Sequence, residues 1–130
     1  METRLEDFEL KESSIKDAGL GLFSKVDIPE NTYLAFKPRN THLGVKRHVS
    51  EIPKEYLHFC IAETDDMYNC PRDFDNIEML WYLNHSFEPN ADKRVDGYYS
   101  SKNIAAGDEI VIDYNSLNEP EDKKEAYYQR

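Results

Sequence analysis

The side chains with the plainest chemistry are four histidines, His42, His48, His58 and His85, and two cysteines, Cys60 and Cys70. Imidazole nitrogen and thiolate sulfur are common zinc ligands, but a site of four cysteines is excluded by count. A mixed site is arithmetically open, although no pair of these residues has the close spacing of a recognised structural zinc site. Three other segments carry a different chemistry. Gly19-Leu20-Gly21 lets a backbone approach another group closely. Asn84-His85-Ser86-Phe87-Glu88-Pro89-Asn90 gathers two amides, an imidazole and a hydroxyl into one short stretch, and Asp113-Tyr114 puts a phenol at the end of the apolar run Ile110-Val111-Ile112. Each also has an ordinary reading: a hairpin for Gly19 to Phe23, a turn for Asn84 to Asn90, a hydrogen-bonded structural imidazole for His85, and core for Tyr114.

Short elements must position these segments. Phe8, Leu10 and Ile15 suggest a first strand, which the Gly19–Gly21 turn returns into Leu22-Phe23. After the turn residues Ile28-Pro29-Glu30-Asn31, Thr32-Tyr33-Leu34-Ala35-Phe36 is a β-rich run closed by Pro38. Lys37 to Lys54 holds Lys37, Arg39, Lys46, Arg47 and Lys54 against the single acid Glu51, and reads as a long surface segment. Ser50 and Pro53 mark a helix start, with Tyr56, Leu57, Cys60 and Ile61 as one apolar face; Ile77, Leu80 and Trp81 suggest a second short helix. Val95 to Ser101 predicts a strand or hairpin, and Ala106-Gly107-Asp108 turns the chain into a strand over Ile110 to Tyr114. The charged stretch from Glu119 to Arg130 is helix-compatible, with Tyr127 and Tyr128 as its only large apolar groups, and is left either to pack late or to stay mobile.

Composition narrows the classes of function. The 130 residues, 39% of them hydrophobic and 12% aromatic, suffice for one core and leave no room for two, so residues 1–130 are read as a single domain. Sixteen bases against 26 acids give a net charge of -10, which repels nucleic acid and attracts a basic protein or peptide. The acids concentrate at Glu63, Asp65, Asp66, Asp73, Asp75, Glu78, Glu88 and Asp92, with Arg72 the one base among them. No apolar stretch approaches the ~20 residues of a membrane span, and Met1 to Leu10 lacks a signal-peptide pattern. An intracellular protein with two free thiols is expected, cytoplasmic, or nuclear if eukaryotic.

In their order and separation, the three segments resemble the SET domain, the fold of S-adenosylmethionine-dependent protein-lysine methyltransferases. The resemblance runs from about Asp17 to Tyr114, with residues 115–130 as a tail or lid. It implies a mainly β fold with short helices, several small antiparallel sheets, and a C-terminal pseudoknot that joins the Asn-His-Ser segment to the final Tyr strand. It also implies S-adenosylmethionine bound by Gly19, Leu20, Gly21, Asn84 and His85, Tyr114 as the catalytic tyrosine, and a lysine channel to which Tyr33, Ile112, Tyr127 and Tyr128 contribute. Phe87 stands where many SET domains have a zinc-binding cysteine, and the tail has no cysteine, so no metal is expected. Lys37 follows Phe36 where several relatives place an aromatic channel residue, for which Tyr33 or Tyr68 would compensate. Ile112 stands where many members carry a Phe or Tyr that limits the number of methyls. Two alternatives stay open: a SET-fold binding module without turnover, which Lys37 favours, and a metal-binding adaptor using the cysteines and histidines.

Overall fold

The computed structural model describes residues 2–36 and 44–129. Phe8–Glu12 (β1) and Leu20–Ser24 (β2) pair antiparallel, with Phe8 opposite Ser24 and Glu12 opposite Leu20. Phe8 and Leu10, two residues apart, turn to the same face and meet the core. Ile15 lies beyond the strand. The Ser13 N–H donates to the Gly19 carbonyl at 2.8 Å, and Asp17 and Gly19 take left-handed φ values of 63° and 72°, which closes the hairpin early.

A second sheet has Gly44–His48 (β3), Met67–Pro71 (β5) and Ile61–Ala62 (β4) in the order β3-β5-β4, all antiparallel. The expected surface segment therefore contains a strand. Its Arg47 is held in place by donating to the carbonyls of Pro71 at 2.7 Å and Arg72 at 2.9 Å, with its guanidinium over the Phe74 ring. Ala91–Arg94 (β7) and Gly97–Ser100 (β8) form the hairpin predicted around Gly97. Asn84–His85 (β6) and Val111–Ile112 (β9) pair in parallel, Asn84 opposite Val111 and His85 opposite Ile112. That pairing brings the two motif segments together, as the pseudoknot expectation requires.

The expected helices are replaced by 3-10 turns, and the described residues contain no α-helix. Lys54–Phe59 is one such turn; Cys60 ends it in extended conformation and Ile61 opens β4. Leu57 stays partly exposed, while Cys60 is buried in a small core cluster. Met79–Tyr82 is the second turn. The run Thr32 to Phe36 is not a ladder strand: it makes one bridge, Tyr33 to Tyr99, while Leu34 and Phe36 are buried. The strand predicted to reach Tyr114 stops at Ile112, and Tyr114 opens a 3-10 turn to Leu117.

The main core gathers Phe8, Leu22, Ile28, Leu34, Phe36, Leu83, Tyr98, Ile104, Ile110 and Ile112. A smaller cluster of Ile52, Cys60 and Cys70 lies under the second sheet, where both cysteines are free thiols. Burial and then the neighbouring Cys70 push the Cys60 thiol well above its ordinary range. Among the described residues, no helix is long and apolar enough to cross a membrane. The architecture is mainly β, built from several small antiparallel sheets, as the sequence predicts.

Candidate functional site

Asn84 is the hinge of one side of the site. Its Nδ2 donates to the Leu20 carbonyl at 3.1 Å and to Glu109 Oε2 at 2.8 Å. Both partners can only accept, which fixes the amide orientation and makes Oδ1 the polar atom Asn84 has left to offer. Gly21 sits between them, and a side chain there would collide with the Glu109 carboxylate. The other amide of the motif, Asn90, holds β9: its Nδ2 donates to the Glu109 carbonyl at 2.8 Å and its Oδ1 accepts from the Val111 N–H at 2.9 Å. The segment Asn84 to Asn90 is thus a turn that also works as a clamp on the last strand.

Beside Asn84, His85 accepts at Nδ1 from the Tyr114 backbone N–H at 3.0 Å. That bond makes Nδ1 the acceptor side of the ring. Asp113 Oδ1 lies 3.7 Å from the same Nδ1. The Asp113 carboxylate accepts from the N–H and side-chain amide of Asn115. Gly19, Leu20, Trp81, Asn84, His85 and Tyr114 line a cavity of about 770 Å³, within the ~300–1,000 Å³ of small-molecule sites. Gly21 stands behind its wall.

Tyr114 also faces a second cavity of about 150 Å³, which it shares with Tyr68, Leu83, Tyr98, Ile112 and Tyr128. This space is too small for a cofactor and suits a single side chain. The Tyr114 hydroxyl donates to the Leu83 carbonyl at 2.6 Å. Burial first, then the phenols of Tyr127 and Tyr128 and the carboxylates of Glu125 and Glu109, push its pKa far above the ordinary tyrosine range. Tyr114 is a neutral phenol at any physiological pH. Trp81, Tyr127, His58, Phe59 and Glu125 join it on the walls of both cavities, so the two spaces meet around these rings.

The tail supplies the outer wall. The rings of Tyr114 and Tyr128 pack edge to face at 5.1 Å, and Tyr127 stacks edgewise on Tyr128 at 4.9 Å. Tyr128 is 4% exposed, whereas Tyr127 is 59% exposed. Glu119 fastens this lid, accepting from the Ala62 N–H at 3.0 Å and from the Tyr128 hydroxyl. Asn115 adds a bond from Nδ2 to the Tyr128 carbonyl at 2.8 Å. The segment is therefore a packed pair of 3-10 turns, Glu121–Lys123 and Ala126–Tyr128, and not a solvated helix.

Of the residues singled out in the sequence, Gly19, Leu20, Asn84, His85, Tyr114 and Tyr127 meet at the larger cavity, and Ile112, Tyr114, Tyr127 and Tyr128 at the smaller. Tyr33 lies elsewhere. Its ring packs against Tyr99 at 5.6 Å and over Gly97, where no side chain intervenes, and it lines neither cavity. Tyr68 takes the wall position instead. Lys37 and His42 fall outside the described residues. The remaining histidines and cysteines are dispersed: His48 caps the turn Val49–Glu51, His58 lines the cavities, and the thiols belong to the smaller core. Among the described residues, no three His, Cys, Asp or Glu side chains converge as a metal site.

Sequence reasoning missed Trp81, His58, Phe59 and Glu125. Trp81, three residues before Asn84 and the chain's one tryptophan, carried a usable signal; the other three had none. Glu109, the acid directly preceding the apolar run, belongs to the segment that ends in Tyr114 but received no role of its own.

The sequence of the SET domain family matches residues 19–115, about three-quarters of the chain, and the protein belongs to that family. No curated protein matches it in sequence. Members of the family are generally protein-lysine methyltransferases that use S-adenosylmethionine.

Proposed function

We propose that this protein transfers a methyl group from S-adenosylmethionine to a lysine side chain of a basic protein or peptide, with residues 1–130 acting as one SET unit. The observation that carries the reading is Tyr114, a neutral phenol shared by a cavity of cofactor size and a narrow one of side-chain size. The residues present fit the cofactor: Asn84 Oδ1 and the backbone of the Gly19–Gly21 turn offer uncharged acceptors to its cationic groups, and Gly19 permits close approach. When bound, S-adenosylmethionine supplies an electrophilic methyl on a sulfonium.

The protein's own residues prepare the amine. Burial against Ile112, Leu83, Tyr98 and Tyr68 disfavours an ammonium and so favours the neutral, nucleophilic form of lysine, against the pull of the Glu119 and Glu125 carboxylates on the same cavity. With its proton committed to the Leu83 carbonyl, the Tyr114 oxygen offers its lone pairs to an amine N–H and orients the nitrogen lone pair. Tyr114 adds no charge that would hold a proton on lysine. Alignment of this kind supplies much of the rate in a displacement at carbon. Tyr127 and Tyr128 exclude water from the channel, and Ile112, smaller than Phe or Tyr, leaves room for more than one methyl.

Incubation with labelled S-adenosylmethionine and a panel of basic proteins tests this. Label is expected on lysine of a basic protein, and Tyr114→Phe should abolish most of it. Cofactor binding without transfer to any protein would favour the binding-module alternative.

A further inference from the structure

The Glu109 carboxylate is the least expected polar group near the site. Glu109 is 9% exposed, and no Lys, Arg or His pairs with it among the described residues. Hydrogen bonds alone sustain it. It accepts from the Ser13 hydroxyl at 2.8 Å, the Ser14 N–H at 3.0 Å, the Ser14 hydroxyl at 2.8 Å and Asn84 Nδ2 at 2.8 Å. Three of these donors come from the loop after β1, so the carboxylate joins that loop to β6. The residue does not line the larger cavity, and Asn84 does.

We infer that Glu109 is a positioning residue, which holds the Asn84 amide with its oxygen turned to the cavity and so sets the site to accept a hydrogen bond from the cofactor's ammonium group. The inference rests on the S-adenosylmethionine reading above. Its physics is simple. An acceptor-only carboxylate and an acceptor-only carbonyl occupy the amide's N–H side, so the flipped amide would set oxygen against two oxygens. Replace the carboxylate by an amide and one of those constraints goes: Gln has its own donors, and Asn84 is free to present NH₂ to a cation. Gly21 belongs to the same device, since any side chain there would displace the Glu109 carboxylate.

The test is calorimetric titration of the full chain and of Glu109→Gln, Asn84→Ala and the double variant. Three ligands separate the causes: S-adenosylmethionine, S-adenosylhomocysteine, which keeps the ammonium, and 5′-methylthioadenosine, which lacks it. Glu109→Gln is expected to weaken the first two about tenfold and to leave the third within about twofold. In the Asn84→Ala background the same substitution should cost little more, because the residue it acts through is gone. Equal weakening of all three ligands, or losses that simply add in the double variant, would overturn the assignment. If Glu109→Gln fails to fold, Gly21→Ala should reproduce the ammonium-selective loss by pushing the carboxylate aside, and its binding all three ligands as the parent does would overturn it equally. A parent chain that binds none of the three would instead refute the cofactor reading, and this inference with it.

Discussion

The two cavities that meet at Tyr114 are built from opposite materials. The larger is defined by backbone and amides: the Leu20 carbonyl, Asn84 and the His85 ring, each fixed by hydrogen bonds. The smaller is walled mostly by aromatic and aliphatic side chains, with Glu119, Lys123 and Glu125 among them, and its outer wall arrives from the tail. A hydrogen-bonded wall presents a fixed polar pattern and recognises one ligand. An aromatic wall removes water and recognises shape, and it depends on whatever holds the rings in place.

The contrast is open to direct attack. The largest effect is expected from Tyr114→Phe, which keeps the ring and its packing but removes the hydroxyl bonded to the Leu83 carbonyl. Turnover should fall on the order of tenfold to a thousandfold while cofactor affinity barely changes, as read by single-turnover rates beside titration. Next is Asn84→Ala on the polar side. It should cost about 1–3 kcal/mol of S-adenosylmethionine affinity and leave melting temperature within a few degrees, a split that calorimetry and thermal unfolding resolve together.

A smaller loss is expected from Glu119→Ala, which unfastens the lid from Ala62 and Tyr128. Loss of the two bonds should destabilise the tail by about 1–3 kcal/mol and raise the Michaelis constant for the protein substrate, with cofactor affinity spared. Unchanged proteolysis of the tail would show that the aromatic wall holds itself.

Alkaline pH probes the same wall. Burial raises Tyr98 and Tyr127 from their ordinary range to about 12, whereas in the unfolded chain they ionise near 10. Their stabilising contribution is complete below about pH 10 and is lost as pH rises through about 12, so melting temperature should decline across that window. A flat profile would mean that Tyr98 is not buried and that Glu125 does not bear on Tyr127.

The smallest effect is expected outside both walls. Ile61 and Tyr68 lie on the smaller cavity, and the exposed turn that joins their strands carries Asp65 and Asp66. Replacing both acids with Asn should raise the Michaelis constant for a basic substrate by about two- to fivefold at low salt, and the difference should vanish at high salt. Equal methylation of acidic and basic lysine peptides would reduce these acids to solubility.

The same contrast decides what the sequence disclosed. The polar side was legible because its residue types have few other uses when they occur together: glycine at a left-handed turn, and Asn-His before a Ser-x-x-Pro-Asn turn. The aromatic side was less so, since any Tyr can furnish a wall. Tyr33 was placed on the channel and packs on Tyr99, while Trp81 and Phe59 went unnoticed. Among the elements, β3 was hidden because Gly-Val-Lys-Arg-His shows no apolar alternation; Arg47 is anchored by carbonyls and an aromatic face, not by burial of a greasy side chain. The helix expected from Pro53 failed because apolar spacing over so few residues fits a 3-10 turn followed by a strand equally well.

The parallel pair β6–β9 has a consequence for time. It joins Asn84 to Val111, and the Glu109 carboxylate beneath it closes on Ser13, 96 residues away in sequence. Contacts of such long range form late, after the entropy of closing large loops has been overcome, and they make folding slow. The larger cavity comes into being only with them, so the unfolded chain has no site to occupy. A ligand of this cavity should therefore stabilise the native chain against unfolding in proportion to its concentration over its Kd.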